Sequence, residues 1–229
     1  MTDYNLLAKA ANRRLQSASG AVIDGYWGNG SQDALNASSK QITYDWDKLR
    51  LHFGRFSQSQ VDGFNAVLDA INKYDSDEIT PPYVAYMLAT AWHETAATMQ
   101  PIEEYGKGKG RPYGKRLDIH GGQYSSSLPI YYGRGYVQLT WLTNYVFMKN
   151  RLGVDFVNSP ELALDPKHAA DIMITGMLEG SFTGKSLSKY INYGLYFEFV
   201  NARRIINGTD KDKMIADYAV KFLDSLIIA

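Results

Sequence analysis

The chain has no cysteine in 229 residues, which excludes a disulfide framework, a thiolate zinc site and a thiol nucleophile together. Histidine is scarce. His52, His93, His120 and His168 are too scattered to expect a histidine-rich metal site, and no metal or cofactor is implied. There is no net charge either: 24 Lys+Arg balance 24 Asp+Glu, so bulk attraction to nucleic acid or anionic membrane is not expected. No segment approaches the ~20 consecutive apolar residues of a membrane span. The first residues, Met1 to Lys9, lack a basic start followed by a long apolar run, so an ordinary signal peptide is not expected. What remains is an ordinary globular composition, long enough for one substantial core with a small appendage.

Periodicity predicts a mainly α chain. A first helix carries Leu6, Leu7, Ala10 and Ala11 towards Leu15, and a glycine-rich turn follows through Gly30. Helical spacing then resumes from Ser31 to Ala37. Residues 1–42 read as a small helical module, and 43–229 as one continuous domain. Ser57 or Ser59 caps a helix to Tyr74 with Val61, Phe64, Leu68 and Ile71 on one face, and Asp75 to Glu78 is a polar break. Pro81 and Pro82 open a second, with helical character from Tyr83 to Met99. Residues 106–122 are glycine-rich and basic, a mobile loop by their spacing. Tyr131 to Trp141 supplies a short strand leading into a helix near Leu142. Asp165-Pro166 opens a helix that stops near Gly180, and Asp210 caps the last one.

The chemistry-bearing residues gather in the middle of the chain. Glu94 falls beside Met87 on the edge of the stripe Val84, Met87, Leu88, Ala91 and Thr95, while His93 points to the other side. A carboxyl at an apolar rim loses hydration, which disfavours its charged form and suits a proton donor. The plain alternative is a surface glutamate in a salt bridge. A zinc-protease His-Glu-x-x-His motif fails at Ala97. Glu103 and Glu104 follow Pro101, and in an extended segment they point to opposite sides, so only one of them is placed to face Glu94; the plain alternative is a solvated acidic turn. Tyr131 to Asn144 combines tyrosines, which stack on sugar rings, with Gln138 and Asn144, which bond hydroxyl and acetamido groups, and Thr140, whose hydroxyl can hold a water; the plain alternative is a half-buried strand with alternating polar residues. Lys107, Lys109, Arg111, Lys115 and Arg116 form a run of cations without an acid, read as a solvated loop or as a contact for an anionic wall polymer.

Together, Phe56 to Gly63, Ala91-Trp-His-Glu-Thr95, Tyr131-Tyr-Gly-Arg-Gly135, Gln138-Leu-Thr140, Asn144-Tyr145 and Ile206-Asn-Gly208 resemble glycoside hydrolase family 19, in its phage endolysin branch. Residues 15–35 resemble a small helical peptidoglycan-binding module. The resemblance implies a two-lobed, lysozyme-like α+β catalytic domain with a small β element and no metal. It implies Glu94 as general acid, Glu104 as general base with Glu103 as rival, and Thr140 holding the water. His93, Tyr132, Gln138, Asn144 and Asn207 would orient the base or bind sugar. The implied reaction is inverting hydrolysis of the β-1,4 bond between N-acetylmuramic acid and N-acetylglucosamine. Chitin cleavage, lytic transglycosylation and inert wall binding are the alternatives. A monomer in the host cytoplasm, released to the wall by a holin-like membrane protein, completes the expectation.

Overall fold

The computed structural model of the chain describes residues 3–74 and 77–229, so part of the polar break expected at 75–78 lies outside the described residues. Helix α1 (Tyr4–Ser19) is capped by the Asp3 carboxylate and closed by Gly20 at positive φ. Helix α2 (Asn29–Ala37) leads to β1 (Ile42–Tyr44) and α3 (Trp46–Phe53). Helix α4 (Gln58–Lys73) starts with a full capping box between Ser57 and Gln60. Helix α5 (Pro81–Glu94), capped by Thr80, is buried from Pro81 through Ala91 and forms the central rod of the core. After β2 (Ile102–Glu103) and β3 (Arg134–Gly135) come α6 (Leu142–Leu152), α7 (Pro166–Glu179), α8 (Tyr196–Ala202), α9 (Asp212–Ser225) and β4 (Leu226–Ile228). Among the described residues only two sheets occur, each of two antiparallel strands: β1 with β4, and β2 with β3.

Helix α9 lies against α5, α8, α1 and α3, while α7 lies against α4. An aromatic block of Phe53, Phe56, Phe64, Trp92 and Phe222 joins α3, α4, α5 and α9 directly below the turn that carries Glu94. Buried rings of this size contribute both area and edge-to-face attraction.

Residues 3–42 share this core. Ala8, Ala11 and Leu15 of α1, with Trp27 and Leu35, belong to the same apolar cluster as α5 and α9. Leu6, by contrast, is 66% exposed. Buried Asn12 donates to the carbonyls of Gly25, Tyr193 and Gly194. Arg14 donates to the carbonyls of Asp224 and Leu226. The boundary expected at residue 42 coincides with the first residue of β1, whose partner Ile228 lies at the other end of the chain, and packing continues across it.

Three expected boundaries move. Helix α5 ends at Glu94 rather than Met99, because the Thr95 hydroxyl takes the Ala91 carbonyl and Ala96 and Ala97 adopt positive φ. Lys211, not Asp210, stands at the N-terminal boundary of α9. Leu226 leaves that helix for β4.

Candidate active site

Glu94 occupies the last turn of α5, where the negative end of the helix dipole is unfavourable to a carboxylate. The offset is Arg203, which donates from Nη1 to Glu94 Oε1 at 2.7 Å; the arginine side chain is only 2% exposed and the glutamate 18%. The uncompensated apolar rim expected from the stripe is therefore replaced by a buried ion pair. Arg203 begins the short 3-10 turn after α8, and its Nε donates to the Asp210 carbonyl at 2.9 Å. That bond ties the Asn207–Asp210 turn to the carboxylate, and Asn207 donates its own N–H to the Arg203 carbonyl.

A cavity of about 250 Å³ opens at Glu94 and is lined further by Val137, Gln138, Thr140, Trp141, Asn144, Phe182, Ile206 and Asn207. Four of the predicted residues, Gln138, Thr140, Asn144 and Asn207, thus meet Glu94 in one space. Their shape is set locally. Gln138 and Trp141 both hold positive φ, which folds the 138–141 segment back on itself. Gln138 Nε2 bonds the Ile102 and Gly135 carbonyls, and the Thr140 hydroxyl donates to the Gln138 carbonyl at 2.7 Å. Asn144 Nδ2 donates to the Thr140 carbonyl, leaving its amide oxygen for a partner in the cavity.

Glu103 and Glu104 do face different partners. Glu104 accepts from the Tyr113 hydroxyl at 2.8 Å and from the Gly133 N–H at 3.1 Å. Burial first, and then the bond to the Glu104 carboxylate, push the Tyr113 phenol up to about 12, so it remains a donor at neutral pH. Tyr113 in turn meets Trp141 edge-on, with centroids 5.2 Å apart. Glu104 is therefore connected to the Glu94 cavity through two touching rings, although it is not itself on the cavity wall.

Glu103 is fully engaged elsewhere. It accepts from Tyr132 at 2.6 Å and pairs with Lys107 at 2.8 Å; the Lys107 bond and then the Tyr132 bond hold its carboxyl below the usual range. Tyr132 is committed on both sides. Its hydroxyl goes to Glu103, and the Arg134 guanidinium covers its ring at 3.6 Å. It is 8% exposed and does not line the cavity, so a sugar-stacking role does not fit its surroundings. His93 also stays off the cavity wall, and burial lowers its pKa.

The loop after Glu94 is clamped from α4. Gln60 Nε2 donates to the Ala97 carbonyl, and Gly63 packs so closely that an added Cβ would lie 1.8 Å from the Met99 carbonyl oxygen. The Phe56–Gly63 stretch thereby fixes the short path from Glu94 to Glu103 and Glu104.

Two residues of the site, Arg203 and Tyr113, do not stand out in the sequence. Arg203 sits four residues after Phe199 and one after Ala202, both buried, so helical spacing already placed a cation on an apolar face. Tyr113 carries no signal beyond its being an aromatic in a basic loop. No group of three or more acidic or histidine residues suited to a metal ion occurs among the described residues.

The same architecture occurs in chitinase C from Streptomyces griseus HUT6037, with a TM-score of 0.56 at 21% identity over 78% of this chain and 76% of that one. The fold of the chain is that of this chitinase. A mutant form of chitinase C aligns with a TM-score of 0.51, again at 21% identity, over 78% of this chain and 91% of that one. In sequence, the chain is 28% identical over 105 residues to basic endochitinase B of Arabidopsis thaliana, covering 38% of this chain and 31% of that protein. It is 31% identical over 107 residues to chitinase 11 of Oryza sativa subsp. japonica, covering 39% and 40%. The chain thus matches well under half the length of these relatives. No protein-family model matches it.

Proposed function

We propose that this chain is an endolysin-type glycoside hydrolase that cuts the β-1,4 bond between N-acetylmuramic acid and N-acetylglucosamine of peptidoglycan with inversion. The observation that carries the reading is a glutamate, Glu94, paired to a buried arginine and opening onto a cavity of amide and hydroxyl groups, with a second acid coupled to it through Tyr113 and Trp141. Glu94 donates a proton to the leaving glycosidic oxygen. Glu104, held by two donors and paired with no cation among the described residues, takes a proton from water as that water attacks the anomeric carbon from the opposite face. The carboxyls of an inverting pair stand about 6.5–9.5 Å apart, room for one water. Thr140 and Asn144 hold the water or the acetamido group, and Gln138 and Asn207 bind the sugar. The protein acts as a monomer, reaching the wall from the host cytoplasm with a holin-like membrane protein.

A second reading, chitin hydrolysis by the same two acids, is favoured by the names of the relatives, both chitinases. Purified sacculi and chitin oligosaccharides, each followed by mass spectrometry of the released fragments, test both. Reducing muramic ends are expected. Anhydro-muramic ends overturn hydrolysis in favour of transglycosylation, cleavage of chitin alone moves the substrate to chitin, and no release from either leaves a wall-binding protein.

A further inference from the structure

The loop between Glu104 and the strand residue Arg134 is a chain of tight turns rather than a mobile excursion. Lys107, Lys109, Arg111, Gly114 and Lys115 each donate a backbone N–H three residues back. At its waist Gly114 meets Gly108 so closely that a Cβ on Gly114 would lie 1.8 Å from the Gly108 carbonyl oxygen. The loop is pinned at two points, Tyr113 to Glu104 and Lys107 to Glu103. Through the Tyr113–Trp141 contact it borders the cavity that holds Glu94.

On this fixed frame Lys109, Arg111 and Lys115 are exposed and form no ion pair with any described residue. In a chain of zero net charge, three uncompensated cations on a braced loop beside a glycan cleft are a local concentration of positive potential. Tyr105, wholly exposed at the head of the same loop, adds an apolar face for a pyranose ring.

Resting on the hydrolase reading above, we infer that Lys109, Arg111 and Lys115 bind the free carboxylates of the stem peptides carried on the muramic acid units, so that this loop selects an anionic peptidoglycan over an uncharged N-acetylglucosamine polymer. The two polymers share a β-1,4 backbone and differ in charge, and a braced cationic rim senses that difference where amide and hydroxyl groups cannot.

Retention on insoluble sacculi stripped of wall phosphopolymers tests this, using the Glu94→Gln chain so that binding is read without cleavage. Replacing Lys109, Arg111 and Lys115 together by Gln lowers affinity for native sacculi roughly tenfold, the sum expected of three exposed charge contacts. On sacculi whose carboxyls have been converted to amides, the parent and the triple variant bind alike. Raising salt weakens the parent on native sacculi but not the triple variant. Tyr105→Ala lowers retention on both materials. Equal binding of parent and triple variant to native sacculi overturns the proposal, as does an equal loss on amidated sacculi. Fragment release by the unsubstituted chain is measured separately, so failure of hydrolysis and failure of charge recognition are distinguishable.

Discussion

Arg203 Nη1 stands 2.7 Å from Glu94 Oε1, and the arginine side chain is 2% exposed. A guanidinium so enclosed depends on its acceptor, because removing one member of a buried pair leaves the other desolvated and unpaired. The carboxyl proposed as proton donor is thus also a structural partner. These two roles separate by substitution.

Glu94→Gln keeps an oxygen acceptor for Arg203 and removes the acidic proton, so it abolishes glycan cleavage by at least ~10²-fold while the fold survives. Glu94→Ala also abandons the guanidinium and costs about 3 kcal/mol. For a chain of this size that lowers Tm by roughly 6–12 °C relative to Gln. Calorimetry on the two proteins checks this, and equal melting temperatures would show that the pair is not a buried dependency.

Glu104→Gln lowers kcat about 10²–10⁴-fold, the usual worth of a positioned base. Glu103→Gln, which breaks contacts to Lys107 and Tyr132 away from the cavity, leaves kcat within a few fold. Reducing-end assays on sacculi decide between them; the reverse order would transfer the base role to Glu103.

His93 supplies a pH-dependent term. Burial lowers its pKa from the ordinary 6.5, so the unfolded chain binds a proton that the folded chain resists. Its contribution to stability is whole above 6.5 and is lost as pH falls from there through the lowered folded value. His93→Gln therefore flattens the stability profile in that window. Urea midpoints measured from pH 7.5 downward test the slope, which an unchanged profile in the variant would contradict.

Gly63→Ala drives a Cβ into the Met99 carbonyl oxygen and costs roughly 1–3 kcal/mol through displaced backbone. Gly30→Ala, inside α2 with no atom within 4 Å of the new Cβ, gains about 0.4–1 kcal/mol. Denaturant midpoints of the pair should move in opposite directions. A lesion at Gly63 also reduces turnover, because the segment it braces joins Glu94 to Glu104.

Where local chemistry decides a boundary, the sequence is legible. Ser57 with Gln60, Thr80 with Pro81, Asp165 with Pro166 and the stop at Gly180 all act where their residue types place them, since caps work within one turn. The early end of α5 is hidden. Thr95 to Met99 is compatible with helix, and the bonds of the Thr95 hydroxyl to the Ala91 carbonyl and the Met99 N–H, together with side chains and backbone of α4, hold it otherwise. The pairing of Ile42 with Ile228 is equally invisible, as a three-residue ladder between distant segments leaves no period to detect. In the site, Gln138, Thr140 and Asn144 lie within seven residues and meet because one tight fold brings them there. Arg203 comes from 109 positions beyond Glu94, and nothing local joins them.

Trp141 borders the cavity beside Glu94 and touches the ring that holds Glu104, whereas Trp27 is packed within the core and Trp92 lies in the aromatic block below. The molecule consequently carries its own optical gauge: one indole at the threshold of the groove, with those two set back from it. A change in emission that survives Trp27→Phe and Trp92→Phe but disappears with Trp141→Phe registers occupancy of that groove without any added label.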